Sequence, residues 1–258
     1  MALIHLHLFS KMLSRKTEVS VIVPERSKRK GDKWPVIWLL HGAMGGHSDW
    51  QRNTSIELYA EKYGFAVVMA SADNSFYANI PTGRYFDFLT KELPDTLSNM
   101  LPLSKAREDN LVAGFSMGGH GAYKLGLSCP ERYAGIIVFS AGNFIETQEM
   151  PEGSPFAEIH RYVFGTSRIH SLAGTEHDIK YLAKRAVEGG ILPALFVCCG
   201  TEDGGFPIVK STCAYMRELG FAPHWEEAPG VHDWFFINRM LPHAMAWAAE
   251  VLKLDCPA

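Results

Sequence analysis

An apolar run enters a glycine-rich turn at Leu111-Val112-Ala113-Gly114-Phe115-Ser116-Met117-Gly118-Gly119-His120. A Gly-x-Ser-x-Gly motif between a strand and a helix is typical of a nucleophile elbow, which holds a serine hydroxyl out of the sheet. The tight turn leaves little room for side chains two residues before and after the serine, where Gly114 and Gly118 stand. The N–H groups that begin the following helix point toward whatever the serine attacks.

The sequence on both sides of the motif supports this interpretation. Residues 108–113 change from polar to apolar over the length of a buried strand. Residues 117–128 contain no proline, and the predicted helix ends at Cys129-Pro130 because proline cannot continue it. An ordinary turn serine is the alternative, but the order of strand, turn and helix favours Ser116 as a nucleophile.

A serine hydroxyl is a weak nucleophile at neutral pH, so it needs a base and a group that orients the base. In one known chain order the acid and then the histidine follow the serine. Residues 193–199 are predicted as a buried strand, and the loop after it carries Asp203 as the candidate acid. His232 is the candidate base, because it lies in a loop with Gly and Pro after the next predicted strand, 223–227.

Two other carboxylates compete with Asp203 for the role of the acid. Asp233 follows His232 directly, so we expect its side chain to leave in another direction. Glu202 is longer and stands one position before Asp203. Among the remaining histidines, His120 lies just inside the predicted elbow helix, where a packing role is favoured over a place in the site.

A second glycine-rich loop follows a predicted strand in the stretch 35–46. Its backbone N–H groups could approach a reacting carbonyl closely, and each preorganised donor to a tetrahedral oxyanion contributes about 3 kcal/mol. We predict that one donor is the N–H of Met117 and the other that of Ala43, with Met44 as the alternative to Ala43. A plain turn or a phosphate cradle would also suit glycines, but neither Gly-Lys-Ser/Thr nor Gly-x-Gly-x-x-Gly occurs.

Four motifs together carry a resemblance to a known family: Leu39-Leu40-His41-Gly42, Gly114-Phe115-Ser116-Met117-Gly118-Gly119, Cys199-Gly200-Thr201-Glu202-Asp203 and Gly230-Val231-His232-Asp233-Trp234. The chain resembles the esterase-D-like branch of the α/β-hydrolases, and more narrowly the tributyrin-esterase or acetyl-esterase family of small bacterial carboxylesterases. The similarity covers essentially the whole chain. One departure is Gly204-Gly205-Phe206 after the acid loop, where the family often has Asp-Phe-Leu.

The resemblance implies a serine carboxylesterase that hydrolyses short-chain acyl esters, acetyl esters of carbohydrates among them, through an acyl-enzyme intermediate. A thioester hydrolase such as S-formylglutathione hydrolase, or an acyltransferase, would use the same triad. A catalytically silent ligand-binding protein on the same fold is the non-enzymatic alternative. The presence of all three residue types, Ser, Asp and His, argues against the silent protein.

Apolar strands alternate with helical stretches along the chain, which predicts the α/β-hydrolase fold with a mostly parallel twisted sheet and helices on both faces. An antiparallel pair, 3–9 and 18–23, precedes the alternation. The length of 258 residues fits a single α/β domain over 1–258. The long connection at about 141–192 is predicted as a cap over the site, and apolar residues at helical spacing in 237–252 predict a last helix packed on the sheet.

Composition restricts the classes of partner. The net charge of −3 favours neither nucleic acid nor an anionic membrane, and the basic cluster Arg26–Lys30 is predicted as a solvated hairpin turn. No His-Glu-x-x-His or Cys-x-x-Cys pattern occurs, so we expect neither metal nor cofactor. The expected partner is a small-molecule ester, and a homo-oligomer is compatible with the sequence.

The expected location is the cytoplasm. The stretch Met1–Phe9 lacks the features of a signal peptide, and no apolar run reaches the length of a membrane span. Five cysteines cannot all form pairs, and Cys198-Cys199 falls in a predicted core strand, where thiols act as small apolar groups.

Overall fold

The computed structural model describes residues 1–25 and 33–254, so the turn predicted for Arg26–Lys30 lies outside the described residues. The strands in these ranges are β1 (Ala2–Ser10), β2 (Arg15–Val23), β3 (Val36–Leu40), β4 (Ala66–Ala70), β5 (Asn79–Ile80), β6 (Gly83–Arg84), β7 (Asn110–Phe115), β8 (Gly135–Phe139), β9 (Ala194–Gly200) and β10 (His224–Ala228). The α-helices are α1 (Asp49–Asn53), α2 (Ile56–Tyr63), α3 (Tyr85–Asp87), α4 (Leu93–Met100), α5 (Met117–Ser128), α6 (Pro155–Phe164), α7 (Ile179–Glu188), α8 (Phe206–Glu218) and α9 (Trp234–Val251).

The central sheet has the strand order β1-β2-β4-β3-β7-β8-β9-β10 in the described part of the chain. β1 pairs with β2 and β2 with β4 in antiparallel fashion. The pairs from β4 through β10 are parallel. The predicted mostly parallel sheet is therefore confirmed, and the carboxyl ends of β3, β7, β9 and β10 meet at one edge, where ligands bind in such sheets.

Both faces of the sheet are covered by helices, as the sequence predicts. In β3, Ile37 and Leu39 point into a core shared with α1, α2 and α9. Val36, Trp38 and Leu40 point into the opposite core, to which α4, α5, α7 and α8 contribute. Because side chains alternate along a strand, a strand buried on both faces is apolar at every position.

The predicted last helix, α9, lies against the sheet through its apolar stripe. The positions of this stripe that are buried are Ile237, Met240, Leu241, Ala244, Met245, Ala248 and Leu252. Val251 is partly buried against the same core. Within residues 1–25 and 33–254, no helix is long and apolar enough to cross a membrane.

The segment predicted as a cap divides into two parts. Its carboxyl-terminal part, α7, buries Ile179, Leu182 and Ala183 in the core on the α5 face of the sheet. Asn143 ties the two parts together: its amide oxygen accepts from the Ile179 N–H at 3.0 Å, and its amide nitrogen donates to Asp178 at 3.0 Å. The residues of this segment that border the cavity described below all precede α7.

The turn between β7 and α5 packs backbone against backbone. Ser116 has φ 58° and ψ −120°, in the left-handed half of conformational space that residues other than glycine rarely adopt. A Cβ atom on Gly114 would lie 2.1 Å from the Gly118 carbonyl oxygen, and one on Gly118 would lie 2.3 Å from that of Leu40. Any larger residue at these two positions would force the turn apart.

We expect Gly114→Ala to lower the free energy of unfolding by about 3 kcal/mol, because no flexible side chain is available to move out of the way. The matched control is Gly189→Ala, where the nearest atom to a new Cβ is the Arg185 carbonyl oxygen at 3.4 Å. The control should stay within about 0.5 kcal/mol of the parent. Urea unfolding of the three proteins makes the comparison, and equal midpoints would contradict the packing described for the elbow.

Candidate active site

The three predicted residues form one hydrogen-bonded chain at the carboxyl edge of the sheet. Ser116 follows β7, Asp203 follows β9, and His232 follows β10. His232 Nε2 lies 2.9 Å from Ser116 Oγ, and His232 Nδ1 lies 2.7 Å from Asp203 Oδ2. The structure thus brings together side chains that are up to 116 positions apart in sequence.

The two contacts of His232 fix its tautomer. An ionised carboxylate can only accept hydrogen bonds, so Nδ1 of His232 carries the proton that it donates to Asp203. Nε2 is then the unprotonated nitrogen, and the Ser116 hydroxyl donates to it. Because the basic nitrogen faces the serine, the imidazole is oriented to accept the proton of the serine hydroxyl.

Asp203 is buried but held in its ionised form. Its side chain is 2% exposed, and its Oδ1 accepts the Gly205 N–H at 2.8 Å. Burial raises the pKa of Asp203, but the hydrogen bonds from His232 and Gly205 outweigh it, and the net effect lowers the pKa. The carboxylate therefore keeps its charge beside the imidazole.

The two competing carboxylates lie elsewhere. Asp233 caps α9, since its Oδ1 accepts the Phe236 N–H at 2.8 Å. Glu202 is exposed, and its backbone N–H donates to the Gly230 carbonyl oxygen at 3.0 Å. Neither carboxylate is hydrogen-bonded to His232 in the described part of the chain.

Aromatic rings hold the histidine in place. The ring of Phe115, the residue before the serine, lies 4.7 Å from the His232 ring between centroids. Trp234 packs edge-on against Trp50 at 5.1 Å and against Phe115 at the same distance. The His232 side chain is 42% exposed, so water can reach it.

The candidate oxyanion donors border the same cavity as the serine. Met117 is the first residue of α5, so its N–H has no acceptor within the helix. Ala43 lines the cavity beside it. The N–H of Met44 donates to Asn74 Oδ1 at 2.7 Å, and the Met44 side chain is 76% exposed. Because the Met44 amide already has a partner, the geometry favours Ala43 over Met44.

His41, to which the sequence analysis gave no role, supports the loop that carries Ala43. Its Nε2 accepts the Ala72 N–H at 2.9 Å, so the ring proton is on Nδ1, which donates to the Gly42 carbonyl oxygen at 2.7 Å. Burial lowers the pKa of His41, which keeps the ring neutral. The sequence contains a signal for this role, because His41 stands between a buried strand and the first glycine of the loop.

Two further side chains tie down the start of this loop. The Tyr77 hydroxyl donates to the His41 carbonyl oxygen at 2.7 Å, and Trp50 Nε1 donates to that of Leu40 at 2.9 Å. Tyr77 and Trp50 are both almost fully buried. The loop is thus fixed from both cores before any ligand binds.

A cavity of about 290 Å³ opens at the serine. Its lining consists of Ala43, Phe76, Ser116, Met117, His120, Ser140, Ala141, Gly142, Phe144, Thr147, Met150, Phe156, His160, Gly205, Ile208, Val209 and His232. Among these described residues there is no Asp, Glu, Lys or Arg. The cavity is therefore largely apolar and has no ionic partner for a charged ligand group.

Three phenylalanines line the cavity, whereas several other aromatic residues of the same region do not. Phe144 and Phe156 line the cavity from the segment before α7, and Phe76 lines it from another loop. Tyr162 instead hydrogen-bonds to Thr82 on the surface. The core outside the cavity lining contains four further aromatic residues, Phe164, Tyr77, Tyr85 and Phe86. His120, for which packing was favoured, does border the cavity.

The described residues contain no group of three or more His, Cys, Asp or Glu arranged to hold a metal ion. Cys129, Cys198, Cys199 and Cys213 are free thiols. Burial raises the pKa of Cys198 well above its ordinary value. Cys198 is therefore a neutral core thiol, as its place in β9 predicts.

Comparison with known proteins identifies the class. The family model described as "Putative esterase" matches residues 10–187, and the chain belongs to this esterase family. Together with the central sheet, this makes the chain a carboxylic ester hydrolase of the α/β-hydrolase fold, which the sequence resemblance predicted.

Individual relatives agree over nearly the full length. The chain is 29% identical to the acetyl esterase of Caldicellulosiruptor saccharolyticus, over 97% of this chain and 99% of that protein. It is 30% identical to the substrate-bound structure of FphF, fluorophosphonate-binding serine hydrolase F of Staphylococcus aureus, with a TM-score of 0.84 and coverage of 96% and 98%. It is also 30% identical to S-formylglutathione hydrolase (FrmB) from the same organism, with a TM-score of 0.85 and the same coverage.

The geometry distinguishes Asp203 from the two neighbouring carboxylates. We expect Asp203→Asn to lower kcat by about 10⁴-fold, the loss that the same change causes in serine proteases by imposing the wrong histidine tautomer. Glu202→Gln and Asp233→Asn are the matched controls and should keep most of the activity. Steady-state kinetics on the three folded variants test this. A crippled Asp233→Asn or Glu202→Gln beside an active Asp203→Asn would show that the acid is another residue.

Proposed function

We propose that Ser116, His232 and Asp203 are the catalytic triad of a serine carboxylesterase that hydrolyses short-chain acyl esters. The observation that carries this proposal is the unbroken hydrogen-bonded chain from Asp203 through His232 to Ser116, which ends at an apolar cavity. Ala43 and Met117 supply the oxyanion donors in this proposal. Acetyl esters, including those of carbohydrates, are the proposed substrates.

The reaction proceeds through an acyl-enzyme. Ser116 Oγ attacks the ester carbonyl carbon while its proton passes to His232 Nε2, and the carbonyl oxygen becomes an oxyanion held by two N–H groups. The C–O bond to the alcohol then breaks, and the alcohol takes the proton from the imidazolium. In the second half-reaction water attacks the acyl carbon and gives a proton to His232. The bond from this carbon to Ser116 Oγ then breaks, Oγ takes the proton back from the imidazolium, and the carboxylic acid is released. Asp203 stabilises the imidazolium in both halves.

Cavity size and lining support short, neutral esters. A volume of about 290 Å³ is at the lower end of the range for small-molecule pockets. The relative named acetyl esterase acts on an acyl group of two carbons, by its name. A short acyl group fits inside such a cavity with room for part of the alcohol, whereas a chain as long as palmitate would have to leave it through the mouth into water.

S-formylglutathione hydrolysis is the second candidate, because a relative of 30% identity carries that name. The same serine, histidine and acid would cleave a thioester. The cavity offers no Asp, Glu, Lys or Arg among its described lining residues to pair with the charged groups of glutathione. This absence favours a neutral ester, and turnover of S-formylglutathione well above that of acetyl esters would reverse the order of the two candidates.

The partner in this proposal is a small molecule, and the triad chemistry needs neither a metal nor a cofactor. We propose the cytoplasm as the location, since the free thiols of β9 are typical of proteins in a reducing compartment. Assembly into a homo-oligomer stays a prediction.

Replacement of the nucleophile tests the proposed function. Ser116→Ala should lower kcat for 4-nitrophenyl acetate by about 10⁶-fold, since loss of the nucleophile removes the covalent pathway. Circular dichroism and the urea midpoint should match the parent, which separates chemistry from folding. Near-normal turnover by a well-purified Ser116→Ala protein would contradict the proposal.

Acyl-chain length tests the proposed substrate class. We expect kcat/KM to be highest for acetyl, propionyl and butyryl esters of 4-nitrophenol and to fall by at least about tenfold for the palmitoyl ester, because the cavity cannot enclose a chain of that length. All esters in this series share one leaving group, so leaving-group chemistry cannot produce the trend. A maximum at palmitate, or activation at a lipid interface, would contradict the enclosed short pocket.

A further inference from the structure

Two buried imidazoles line the largely apolar cavity. His120 lies on α5, one helical turn after Ser116, and His160 lies on α6. They are 2% and 5% exposed. Both ring nitrogens of His120, and Nδ1 of His160, are enclosed without a hydrogen-bond partner in the described part of the chain. A buried polar group without a partner destabilises a folded protein, so such groups need an explanation.

The aromatic rings packed against these two imidazoles belong to phenylalanines. The Phe144 ring lies 4.7 Å from His120 and 5.8 Å from His160 between centroids. Phe76 lies 6.0 Å from His120 and 5.5 Å from His160. Phe164 closes the cluster, 5.9 Å from His160. These phenyl rings hold the imidazoles in place but offer the three enclosed nitrogens no hydrogen-bond acceptor.

Both imidazoles are neutral. Burial lowers the pKa of His120 well below its ordinary value, and the nearby Lys124 lowers it further. Burial also lowers the pKa of His160. A neutral imidazole has one donor and one acceptor nitrogen and no charge. The described cavity lining also contains no Asp, Glu, Lys or Arg. The complementary ligand group is therefore neutral.

The environment of His160 indicates which of its nitrogens is the donor. Nδ1 is enclosed, whereas Nε2 is not one of the enclosed nitrogens, and the residue lines the cavity. A buried N–H without an acceptor is rarer in proteins than an acceptor without a donor. The proton is therefore favoured on Nε2, which directs an N–H group into the cavity.

We propose that His160, with His120 beside it, is a specificity-determining residue that binds a hydroxyl group on the part of the ester that enters the cavity. A hydroxyl oxygen accepts the His160 Nε2–H. This inference rests on the proposed esterase function. The hydroxyl can belong to the acyl group or to the alcohol, and the two sources are separated by the choice of substrates.

The experiment compares two pairs of esters in which a hydroxyl is replaced by a methyl group of similar size. The acyl pair is 4-nitrophenyl 3-hydroxybutyrate and 4-nitrophenyl 3-methylbutyrate. The alcohol pair is 2-hydroxyethyl butyrate and propyl butyrate. In one of the two pairs we expect kcat/KM of the parent protein for the hydroxylated ester to exceed that for its isostere by about tenfold or more.

Variants then connect this preference to the imidazole. His160→Leu removes the N–H donor and should bring the ratio close to one, whereas His160→Gln keeps a donor and should retain part of the preference. The matched control is His243→Leu on α9, where the histidine side chain is 56% exposed and lies outside the cavity lining. The control should show the same ratio as the parent. Thermal unfolding of each variant identifies any loss of structure.

The outcomes separate this inference from the proposed function. Equal or lower kcat/KM for the hydroxylated ester in both pairs would overturn the inference, while hydrolysis of all four esters would still support the esterase. A preference that persists undiminished in folded His160→Leu would also overturn it. If His160→Leu does not fold, the test relies on two other results. These are the ratios measured for the parent protein and the smaller ratio expected for His160→Gln. No hydrolysis of any of the four esters would contradict the proposed function and this inference together.

Discussion

The contact between His232 Nδ1 and Asp203 Oδ2 is the interaction on which the proposed chemistry of this protein depends. It selects the tautomer that presents an unprotonated Nε2 to Ser116, and it keeps a negative charge beside the ring. Burial alone would raise the pKa of Asp203, and the hydrogen bonds from His232 and Gly205 bring it below its ordinary value. The parallel sheet makes the contact possible by ending β7, β9 and β10 at one edge.

The backbone around the serine is rigid for a related reason. The elbow has no space for a Cβ at Gly114 or Gly118, and the neighbouring loop is held by hydrogen bonds from His41, Tyr77 and Trp50. Donors that are fixed before the reaction stabilise a developing oxyanion without reorganisation at that moment. The rigid backbone thus serves the electrostatics of the site, whereas the less regular segment before α7 contributes part of the cavity lining.

Much of this was accessible from sequence, because local patterns encode it. The elbow, the acid loop and the histidine loop each combine a predicted strand with a chemically distinctive residue, and the apolar stripe of α9 follows from helical spacing. The preference for Asp203 over Asp233 rests on the position of Asp233 directly after His232. The structure shows where the Asp233 carboxylate lies, since it caps α9. The order of parallel strands follows from the resemblance to the family more than from any single pattern.

Other features depend on contacts between distant residues and have no local signature. The hairpin of β5 and β6 has strands of two residues, too short for any periodicity. The sequence prediction includes α7 in the cap. Only the packing of α7 on α5 shows that this helix covers the sheet instead. The support of the Ala43 loop joins His41 to Ala72, and the unpartnered nitrogens of His120 and His160 become visible only when their neighbours are known.

The most direct test of the central claim is to locate the activated serine chemically. The folded protein is treated with a fluorophosphonate, digested, and its peptides are analysed by mass spectrometry, with the loss of esterase activity followed in parallel. One adduct per chain is expected, on Ser116, with activity lost in proportion to labelling. An adduct on a different residue, or full activity in protein whose Ser116 is completely labelled, would contradict the account.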